Sequence, residues 1–445
     1  MLRDGRRLFG TDGVRGVANT ELTPQFALDL GRAAGSLLSA GPVVVGRDTR
    51  RSGEMLSMAV QAGFNAAGVD TVDVGVLPSG GISHLTRESS AEMGVVVSAS
   101  HNPAADNGIK FLDKLGTKLS DETEDRIEAR LRAPGSVVIP YGPGVGTRFP
   151  RTDALETYVA DLAKGATYTF RGIRVLLDCA NGAAYQAAPA LFRKLGTDVE
   201  VVNAEPNGMN INDGCGATHP EHVASLASGR VGLAFDGDAD RLIATDERGG
   251  IVDGDRIMAI VARHWKRASK LKNDLVVTTV MANLGFKKSM AEAGIDVIET
   301  KVGDRYVLEA MHSHKAVLGG EQSGHVIFLD RGRTGDGLLT AIRLLEVVAG
   351  TGRTLAELSA EAMVTFPQRL VNVRVASKDG LEGAEELWAE VEAVEEEMAG
   401  NGRVLIRPSG TEPVIRVMVE AAGEDDAVRY AERLAAMVES AMGGA

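Results

Sequence analysis

GVVVSASHNPAADNGIKF, residues 94–111, combines a strand signal with a cluster of reactive side chains. The β-branched run at residues 95–97 follows Gly94 and has the length and composition of a buried strand. Pro103 prevents the strand from continuing, so the small polar residues before it lie at a strand exit. Open α/β sheets place their ligand sites at such exits, and the stretch therefore predicts an α/β fold with a site at a sheet edge.

A hydroxyl, an imidazole and an amine follow that strand. Ser98 and Ser100 alternate in the loop, His101 comes next, and an Asp-Asn-Gly turn predicted at residues 106–108 leads to Lys110. A Ser-x-Ser turn on its own commonly does no more than satisfy local backbone groups. Because His101 and Lys110 flank the serines, and further polar loops occur downstream, we interpret the stretch as a functional site.

The composition is that of a soluble globular protein of three or four domains, with 445 residues, 44% hydrophobic and 24% charged. Its net charge of −13 argues against a nucleic-acid partner but permits an anionic small molecule in a local basic pocket. Cys179 and Cys215 lie far apart without a CxxC motif, which indicates neither a disulfide framework nor a zinc knuckle. No signal-peptide pattern or membrane-length apolar run occurs, so we expect a cytoplasmic protein without a membrane partner.

A unit of strand, loop, helix, Gly-x-Asp and strand occurs three times, which predicts three similar α/β domains. The Gly-x-Asp signals are at residues 68–70, 196–198 and 294–296. The chain beyond residue 366 differs, because it carries strand patterns and a last amphipathic helix at residues 425–442, typical of a smaller α+β module. The predicted domains are residues 1–152, 153–253, 254–365 and 366–445.

FDGDADR, residues 235–241, follows an apolar strand and alternates carboxylates with small or apolar residues. Its carboxylates are Asp236, Asp238 and Asp240. Three hard oxygen ligands without Cys or His suit Mg²⁺ or a similar divalent ion. One alternative is an EF-hand with Glu247 at its twelfth position, although Arg241 stands where that loop needs Gly. The other alternative is a solvated acidic turn.

Three further loops carry candidate binding groups. FGTDGVRG, residues 9–16, places Arg15 among glycines and suits an anion, but a plain turn is an equal alternative. LGGEQSGH, residues 318–325, offers groups for sugar hydroxyls, with a second polar turn at Gly303. His325 in this loop is a candidate acid or base, and the alternative is a satisfied surface histidine. RPSGTEP, residues 407–413, begins with an arginine, and the residues that follow offer hydroxyl groups and free backbone amides. This combination favours a phosphate-binding loop over the alternative of a surface turn. The named candidates in these last two loops are Glu321, Ser323, Arg407, Ser409, Gly410 and Thr411.

Taken together, TDGVRG, SASHNP with NGIKF, DGDADR, GEQSGH and RPSGTEP resemble the α-D-phosphohexomutase superfamily, in the order found there and over essentially the whole chain. The resemblance implies four domains around a central cleft, each of which contributes one loop. The expected fold class is α/β, with three similar α/β domains of mixed sheets and a smaller C-terminal α+β domain. It also implies a homodimer with a mobile fourth domain.

The resemblance also implies roles for the matching residues. Ser100 would be the phosphoserine, with Ser98 a bystander, and the phosphoserine would hold one Mg²⁺ together with the three aspartates of DGDADR. Arg15, His101, Lys110 and His325 would serve the phosphoryl transfer. The substrate-binding residues would be Gly303, Glu321 and Ser323 for the sugar and Arg407, Ser409, Gly410 and Thr411 for the second phosphate, with Arg241 and Arg416 as further phosphate or positioning candidates.

The implied reaction interconverts glucosamine 6-phosphate and glucosamine 1-phosphate and feeds UDP-N-acetylglucosamine synthesis. Glucosamine or glucose 1,6-bisphosphate would be the intermediate and activator. Gln322 and the stretch at residues 211–221 resemble the amino-sugar branch of the superfamily. The alternatives are a phosphomannomutase or phosphoglucomutase, a metal-dependent sugar phosphatase, and a non-catalytic phosphosugar sensor.

Overall fold

The computed structural model describes residues 7–10, 12–39, 41–133, 135, 139–409 and 413–443. The chain forms two compact units. The first unit contains the residues up to 281 together with residues 293–362, and the second contains residues 282–292 together with the chain from residue 363 onward.

The first domain of the first unit is a six-stranded mixed sheet with four helices. Its strands are β1 (Val14–Val17), β2 (Val43–Arg47), β3 (Thr71–Val76), β4 (Met93–Val97), β5 (Asp106–Asp113) and β6 (Arg148–Pro150). Its helices are α1 (Pro24–Gly35), α2 (Gly53–Ala66), α3 (Ser79–Glu88) and α4 (Asp121–Arg132). The strand order is β1-β5-β4-β2-β3-β6, in which β4, β2, β3 and β6 run parallel while β5 is antiparallel to both β1 and β4.

The turn predicted at residues 106–108 is wrong, because these residues begin strand β5. Gly108 pairs with Arg15 and Asn107 with Gly16, so the edge strand β1 gives this segment a ladder partner. The reversal of the chain occurs earlier, where the amide of Asp106 donates to the carbonyl of Pro103 (3.1 Å). Cross-strand pairing has therefore overridden the local turn preference of Asp-Asn-Gly.

The second domain repeats this plan on a five-stranded sheet. Its strands are β7 (Arg174–Asp178), β8 (Asp198–Val202), β9 (Val231–Phe235), β10 (Leu242–Thr245) and β11 (Ile251–Val252). Its helices are α5 (Ala154–Gly165), α6 (Ala184–Lys194) and α7 (Pro220–Leu226). The order is β11-β10-β9-β7-β8, with β9, β7 and β8 parallel. Cys179 and Cys215 are both reduced and buried.

The third domain has a four-stranded sheet in the order β13-β12-β14-β15. Its strands are β12 (Leu275–Thr279), β13 (Asp296–Thr300), β14 (Leu318–Gly320) and β15 (Val326–Phe328). The helices of this part of the chain are α8 (Gly254–Arg267), α9 (Leu284–Glu292), α10 (Asp304–His314), α11 (Gly337–Thr351) and α12 (Leu355–Ala362). Among them, α9 belongs to the second compact unit.

The threefold repeat is confirmed: β2-α2-β3, β7-α6-β8 and β12-α9-β13 follow the same order. In each repeat a glycine with a left-handed backbone conformation follows the end of the helix. The φ angles are 86° at Gly68, 87° at Gly196 and 66° at Gly294. Glycine adopts this conformation without steric cost, which explains why each helix stops there.

The second unit is a three-stranded antiparallel sheet, in the order β16-β18-β17, with two further helices. Its elements are β16 (Gln368–Arg374), α13 (Glu385–Met398), β17 (Arg403–Pro408), β18 (Val414–Glu420) and α14 (Glu424–Met442). The predicted fold class is thus confirmed, with three mixed α/β sheets and a small C-terminal antiparallel one. None of the helices formed by the described residues combines the length and apolar content that a membrane crossing requires.

Candidate active site

Three buried aspartates occupy the turn between β9 and β10. Asp236, Asp238 and Asp240 each offer a carboxylate oxygen, and these oxygens lie within 4.8 Å of one another. Both alternatives for this loop are excluded. The aspartates are buried rather than solvated, and the loop runs into a strand while Glu247 accepts the amides of Leu355 and Ala356 instead of joining the cluster.

The donor set of the cluster fits a hard divalent cation. Asp236 uses both oxygens, since Oδ1 accepts the amide of Arg241 (3.2 Å) and Oδ2 accepts the hydroxyl of Ser100 (2.5 Å). Oδ1 of Asp238 and Oδ1 of Asp240 are buried, and neither forms a hydrogen bond with any residue in the described ranges. Buried carboxylate oxygens without donors are costly unless a cation compensates them, and carboxylates are the ligands that Mg²⁺ prefers.

The three carboxyl groups differ in their proton affinity. Burial raises the pKa of Asp236 well above its usual range, and the charges of Asp240 and Asp238 add to the effect. Burial and Asp238 likewise raise the pKa of Asp240. Burial also opposes ionisation of Asp238, but Lys110 outweighs it and lowers the pKa of that carboxyl. Crowding therefore stores electrostatic repulsion that a bound cation would relieve.

Lys110 is the buried cation of the cluster. Its Nζ lies 2.9 Å from both Asp12 Oδ2 and Asp238 Oδ2, and 3.6 Å from Asp240 Oδ2. Burial acts against the ammonium, but these three carboxylates outweigh it and raise the pKa of Lys110. Asp12 also pairs with Arg15, whose second amino group donates to the side chain of Asn102 (3.0 Å). The site thus holds a permanent positive charge beside its carboxylates.

Ser100 faces this cluster from the end of β4. The residue is 1% exposed and has a left-handed φ of 51°. A Cβ added at Gly237 would lie 2.4 Å from the carbonyl oxygen of Ser100, so the glycine lets the aspartate loop approach the serine loop. His101 Nδ1 lies 3.4 Å from Ser100 Oγ. Burial, together with Arg241 and Arg15, lowers the pKa of His101 to about 4.

The third domain brings a polar loop to the same region. Glu321 Oε1 accepts the amide of Gly303 (3.1 Å), which links the two turns that the sequence indicated. His325 is 4% exposed, and its ring nitrogens form no hydrogen bond within the described chain; Nε2 lies 3.6 Å from Asp304 Oδ2. Ser323 is exposed. His325 is therefore a buried histidine in the site and not the satisfied surface histidine that was its alternative.

The candidate phosphate loop RPSGTEP, residues 407–413, belongs to the part of the sequence that forms the second unit. Arg407 and Arg416 are direct partners across β17 and β18. Burial and the charge of Arg416 lower the pKa of Arg407, as expected for two neighbouring guanidinium groups. Ser409 follows β17, and its carbonyl accepts Lys378 Nζ (2.7 Å). Gly410 and Thr411 lie outside the described residues.

Sequence reasoning missed several residues of the site. Ser79, at the start of α3, donates its hydroxyl to Asp238 Oδ2 (2.8 Å), and its amide donates to the Asp238 carbonyl (2.9 Å). Lys118 pairs with both Asp12 and Asp304 and so joins the first domain to the third. Asp12 lay within a quoted motif, but the partners of Ser79 and Lys118 are distant in sequence, so no local signal marked them.

Models of four protein domains match the chain in succession. The matching descriptions are phosphoglucomutase/phosphomannomutase α/β/α domain I at residues 6–136, domain II at residues 156–250, domain III at residues 253–366 and the C-terminal domain at residues 370–437. Together these models cover most of the sequence, and each of them covers the greater part of one of the four sheets.

Curated relatives match over nearly the full length. A protein named "Phosphoglucosamine mutase" from a Thermoanaerobacter species is 49% identical over 444 residues, covering 97% of this chain and 99% of the relative. A protein of the same name from Listeria monocytogenes is 49% identical over 445 residues, covering 98% of this chain and 99% of the relative.

Solved structures share the fold. A phosphoglucomutase/phosphomannomutase family protein from Burkholderia thailandensis has 26% identity and a TM-score of 0.83, covering 99% of this chain and 98% of that one. The N-acetylphosphoglucosamine mutase of Aspergillus fumigatus, solved with GlcNAc-6P and magnesium, has 20% identity and a TM-score of 0.69, covering 98% and 96%. From its four matching domains and its closely related full-length relatives, this chain belongs to the phosphoglucomutase/phosphomannomutase family, within the α-D-phosphohexomutase superfamily.

Proposed function

We propose that this chain interconverts glucosamine 6-phosphate and glucosamine 1-phosphate through a phosphorylated Ser100. The observation that carries the proposal is the 2.5 Å contact between the Ser100 hydroxyl and Asp236. Asp236 belongs to a buried aspartate cluster in which two oxygens accept no hydrogen bond from the described residues. The name carried by relatives at 49% identity supports an amino-sugar phosphate as the substrate.

Asp236, Asp238, Asp240 and the phosphorylated Ser100 would hold Mg²⁺. When bound, this ion would neutralise charge on the phosphoryl group that is transferred. Oδ1 of Asp238 and Oδ1 of Asp240, which receive no hydrogen bond from the residues that the structure describes, support this assignment. Lys110 and Arg15 add fixed positive charge on the side of Asp12.

The first transfer breaks the bond between phosphorus and Ser100 Oγ while a sugar hydroxyl oxygen bonds to phosphorus. The hydroxyl loses its proton, and Ser100 Oγ gains one. His101 suits the role of proton acceptor, since the histidine stays neutral above about pH 4. The raised pKa of Lys110 keeps it an ammonium, which suits charge stabilisation. The resulting 1,6-bisphosphate reorients and returns its other phosphoryl group to Ser100 by the same step in reverse.

The remaining candidates would bind the substrate. In this proposal Gly303, Glu321 and Ser323 contact the sugar, with His325 as a further acid or base. Arg407, Ser409, Gly410, Thr411 and Arg416 hold the phosphate that does not react, and Arg241 assists at the metal side. Binding energy at a non-reacting phosphate positions the reacting oxygen, which explains why the enzyme would carry such a clamp. The domain boundaries proposed from sequence remain residues 1–152, 153–253, 254–365 and 366–445.

Phosphorus NMR of the protein with Mg²⁺ and a trace of glucose 1,6-bisphosphate tests the substrate. Glucosamine 6-phosphate, glucose 6-phosphate and mannose 6-phosphate are supplied separately at equal concentration. We expect a 1-phosphate signal to grow fastest from the amino sugar. Faster conversion of a hexose phosphate would move the activity to phosphoglucomutase or phosphomannomutase, and free phosphate alone would indicate a phosphatase.

Ser100→Ala tests the nucleophile in the same assay. We expect its turnover to fall more than a hundredfold, because the group that carries the phosphoryl is lost. Ser225→Ala is the matched control, since that hydroxyl is exposed and donates to the His222 carbonyl. Wild-type turnover in Ser100→Ala would overturn the assignment.

A further inference from the structure

Arg50 is a fully buried arginine beneath the serine loop. Its side chain is 0% exposed, yet arginine is rarely buried unless its charge and donors are matched. A planar guanidinium has five N–H donors, and all five have acceptors here. Nε donates to Asp48 Oδ2 (2.9 Å), Nη1 to the carbonyls of Pro103 and Asp106 (3.1 Å for the latter), and Nη2 to the carbonyls of Ser100 and Asn102 (2.8 Å each).

Asp48 connects this guanidinium to the other side of the same loop. Its Oδ2 accepts the hydroxyl of Ser98 (2.6 Å) as well as Arg50 Nε, and its Oδ1 accepts the Arg50 amide (2.9 Å). The Ser98 oxygen in turn accepts the backbone amide of Ser100 (2.9 Å). Both the carbonyl and the amide of Ser100 are therefore fixed by one buried network.

Ser100 needs such support because of its backbone. A φ of 51° is uncommon for a residue with a side chain, and it persists only where the surroundings enforce it. The same conformation directs Oγ to Asp236 at 2.5 Å. Asn212 adds a bond from the second domain, because its Nδ2 donates to the Ser100 carbonyl (2.9 Å).

We propose that Asp48, Arg50 and Ser98 form a positioning network that holds Ser100 in its left-handed conformation with Oγ aimed at the aspartate cluster. This inference rests on the proposed function, which makes Ser100 the phosphoryl carrier. None of the three touches the reacting oxygen. They act on the rate through the backbone of Ser100, so Ser98 has a role beyond that of a bystander.

The geometry requires arginine rather than any cation at position 50. Lysine keeps the charge but has only three donors and no planar fork. Its ammonium therefore cannot donate at once to all four carbonyls that the two Nη groups of Arg50 contact. Arg50→Lys therefore loosens the loop without creating an unpaired buried carboxylate. Displacements of about 1 Å at a reacting group cost on the order of a hundredfold in rate.

Arg343→Lys is the matched control for burial. Arg343 is 8% exposed and pairs with Glu346 and Asp330 in the third domain, away from the serine loop. Both variants exchange a buried paired guanidinium for an ammonium. A purely structural effect of that exchange lowers Tm in both, whereas only Arg50→Lys should change turnover.

Steady-state kinetics with glucosamine 6-phosphate separate the two effects. We expect Arg50→Lys to lower kcat about a hundredfold with KM changed less than threefold, while Arg343→Lys keeps kcat within twofold. A wild-type kcat in Arg50→Lys would overturn the proposal. It would also be overturned if Arg343→Lys had the same Tm as Arg50→Lys and lost as much kcat. If the wild type shows no mutase activity, the proposed function is refuted. The hydrogen–deuterium exchange of Ser98→Ala, described next, then tests the network independently of activity.

Ser98→Ala provides a test that needs no activity and removes a single hydroxyl. Without that oxygen the Ser100 amide loses its acceptor, so hydrogen–deuterium exchange at this amide, measured in EDTA, should be at least tenfold faster than in the wild type. Exchange in the strand peptide at residues 43–47 should not change. Unchanged exchange at Ser100 would show that the network does not hold the loop, even if Arg50→Lys fails to fold.

Discussion

Asp240 shows at the scale of a single residue how the site favours a cation. Its Oδ1 is buried without a hydrogen bond from the described residues, and its Oδ2 lies 3.6 Å from Lys110. The ammonium of Lys110 lies beside two aspartates of the cluster, Asp238 and Asp240, and also beside Asp12. A divalent ion is the simplest compensation for buried carboxylate oxygens that accept no hydrogen bond from the described residues.

Asp240→Asn should weaken metal binding. The change removes one anionic ligand while keeping the shape of the side chain, and we expect affinity for Mn²⁺ to fall at least tenfold, or about 1.4 kcal/mol. Electron paramagnetic resonance of free Mn²⁺ during titration measures this directly. The control is Asp213→Asn, which removes the same charge from an exposed position. Equal affinities in both variants would mean that the cluster is not the metal site.

His101 should make stability depend on pH. Its folded pKa of about 4 lies below the ordinary value of 6.5, chiefly because of burial. As the pH falls below about 6.5, His101 becomes protonated in the unfolded chain, whereas in the folded protein it stays neutral until about pH 4. The free energy of unfolding therefore decreases between about pH 6.5 and pH 4. His101→Asn should remove this part of the dependence.

The measurement is Tm at pH 7.5 and at pH 5.0 in EDTA. We expect the decrease in Tm on acidification to be smaller in His101→Asn than in the wild type. His314→Asn, at the exposed end of α10, is the control and should show the wild-type decrease. A variant that loses as much Tm as the wild type would contradict the assignment of this pH dependence to His101.

At the scale of elements, α1 and α2 pack through glycines. A Cβ added at Gly63 would lie 2.1 Å from the carbonyl oxygen of Leu28, and one at Gly31 would lie 2.2 Å from that of Val60. Both obstacles are backbone atoms, so the helices can approach this closely only without side chains at the two positions. The contact supports the core beneath β2 and β4, from which the serine loop emerges.

Gly63→Ala should therefore destabilise the protein, despite the better helix propensity of alanine. Forcing the helices apart costs about 1–3 kcal/mol, which exceeds the gain of about 1 kcal/mol from propensity. Urea unfolding followed by circular dichroism measures the difference. Gly383→Ala serves as control, because no described residue beyond its chain neighbours has an atom within 4 Å of the added Cβ. A stabilised Gly63→Ala would show that the helices separate freely.

Elements were predicted from the sequence where the signal was local. Three strand–helix–strand repeats followed from apolar runs and from glycines such as Gly68, whose left-handed conformation the structure confirms. The turn at residues 106–108 was wrong because its strand partner, β1, is about ninety residues away. Arg50 was missed for the same reason, since its acceptors belong to a loop that lies beside it only after β2 and β4 have paired.

At the scale of the whole molecule, the second unit is discontinuous in sequence. Helix α9 lies between two strands of the third domain along the chain, yet it packs within the unit that begins at residue 363. Repetition in the sequence predicted a third copy of the α/β plan but carries no information on which unit holds its helix. That depends on tertiary contacts of the C-terminal sheet.

Glu420 is the centre of those contacts. The residue is fully buried at the end of β18, and its carboxylate accepts the Leu284 amide (2.8 Å), Asn283 Nδ2 (3.3 Å) and Arg403 Nε (2.7 Å). A buried carboxylate with this many donors is stabilised by charge-assisted hydrogen bonds. Its removal would break the ion pair between Glu420 and Arg403.

Glu420→Gln should loosen α9 and the C-terminal sheet together. The amide keeps the shape but presents donors to donors, and breaking a buried pair in this way costs about 3 kcal/mol or more. Hydrogen–deuterium exchange should then rise in peptides from residues 284–292 and 403–420 alike, while the peptide covering α10 keeps its wild-type protection. Glu432→Gln removes an exposed charge from the same unit and should change neither. If residues 284–292 kept full protection while residues 403–420 lost theirs, α9 would be held by the third domain, and its place in the second unit would be wrong.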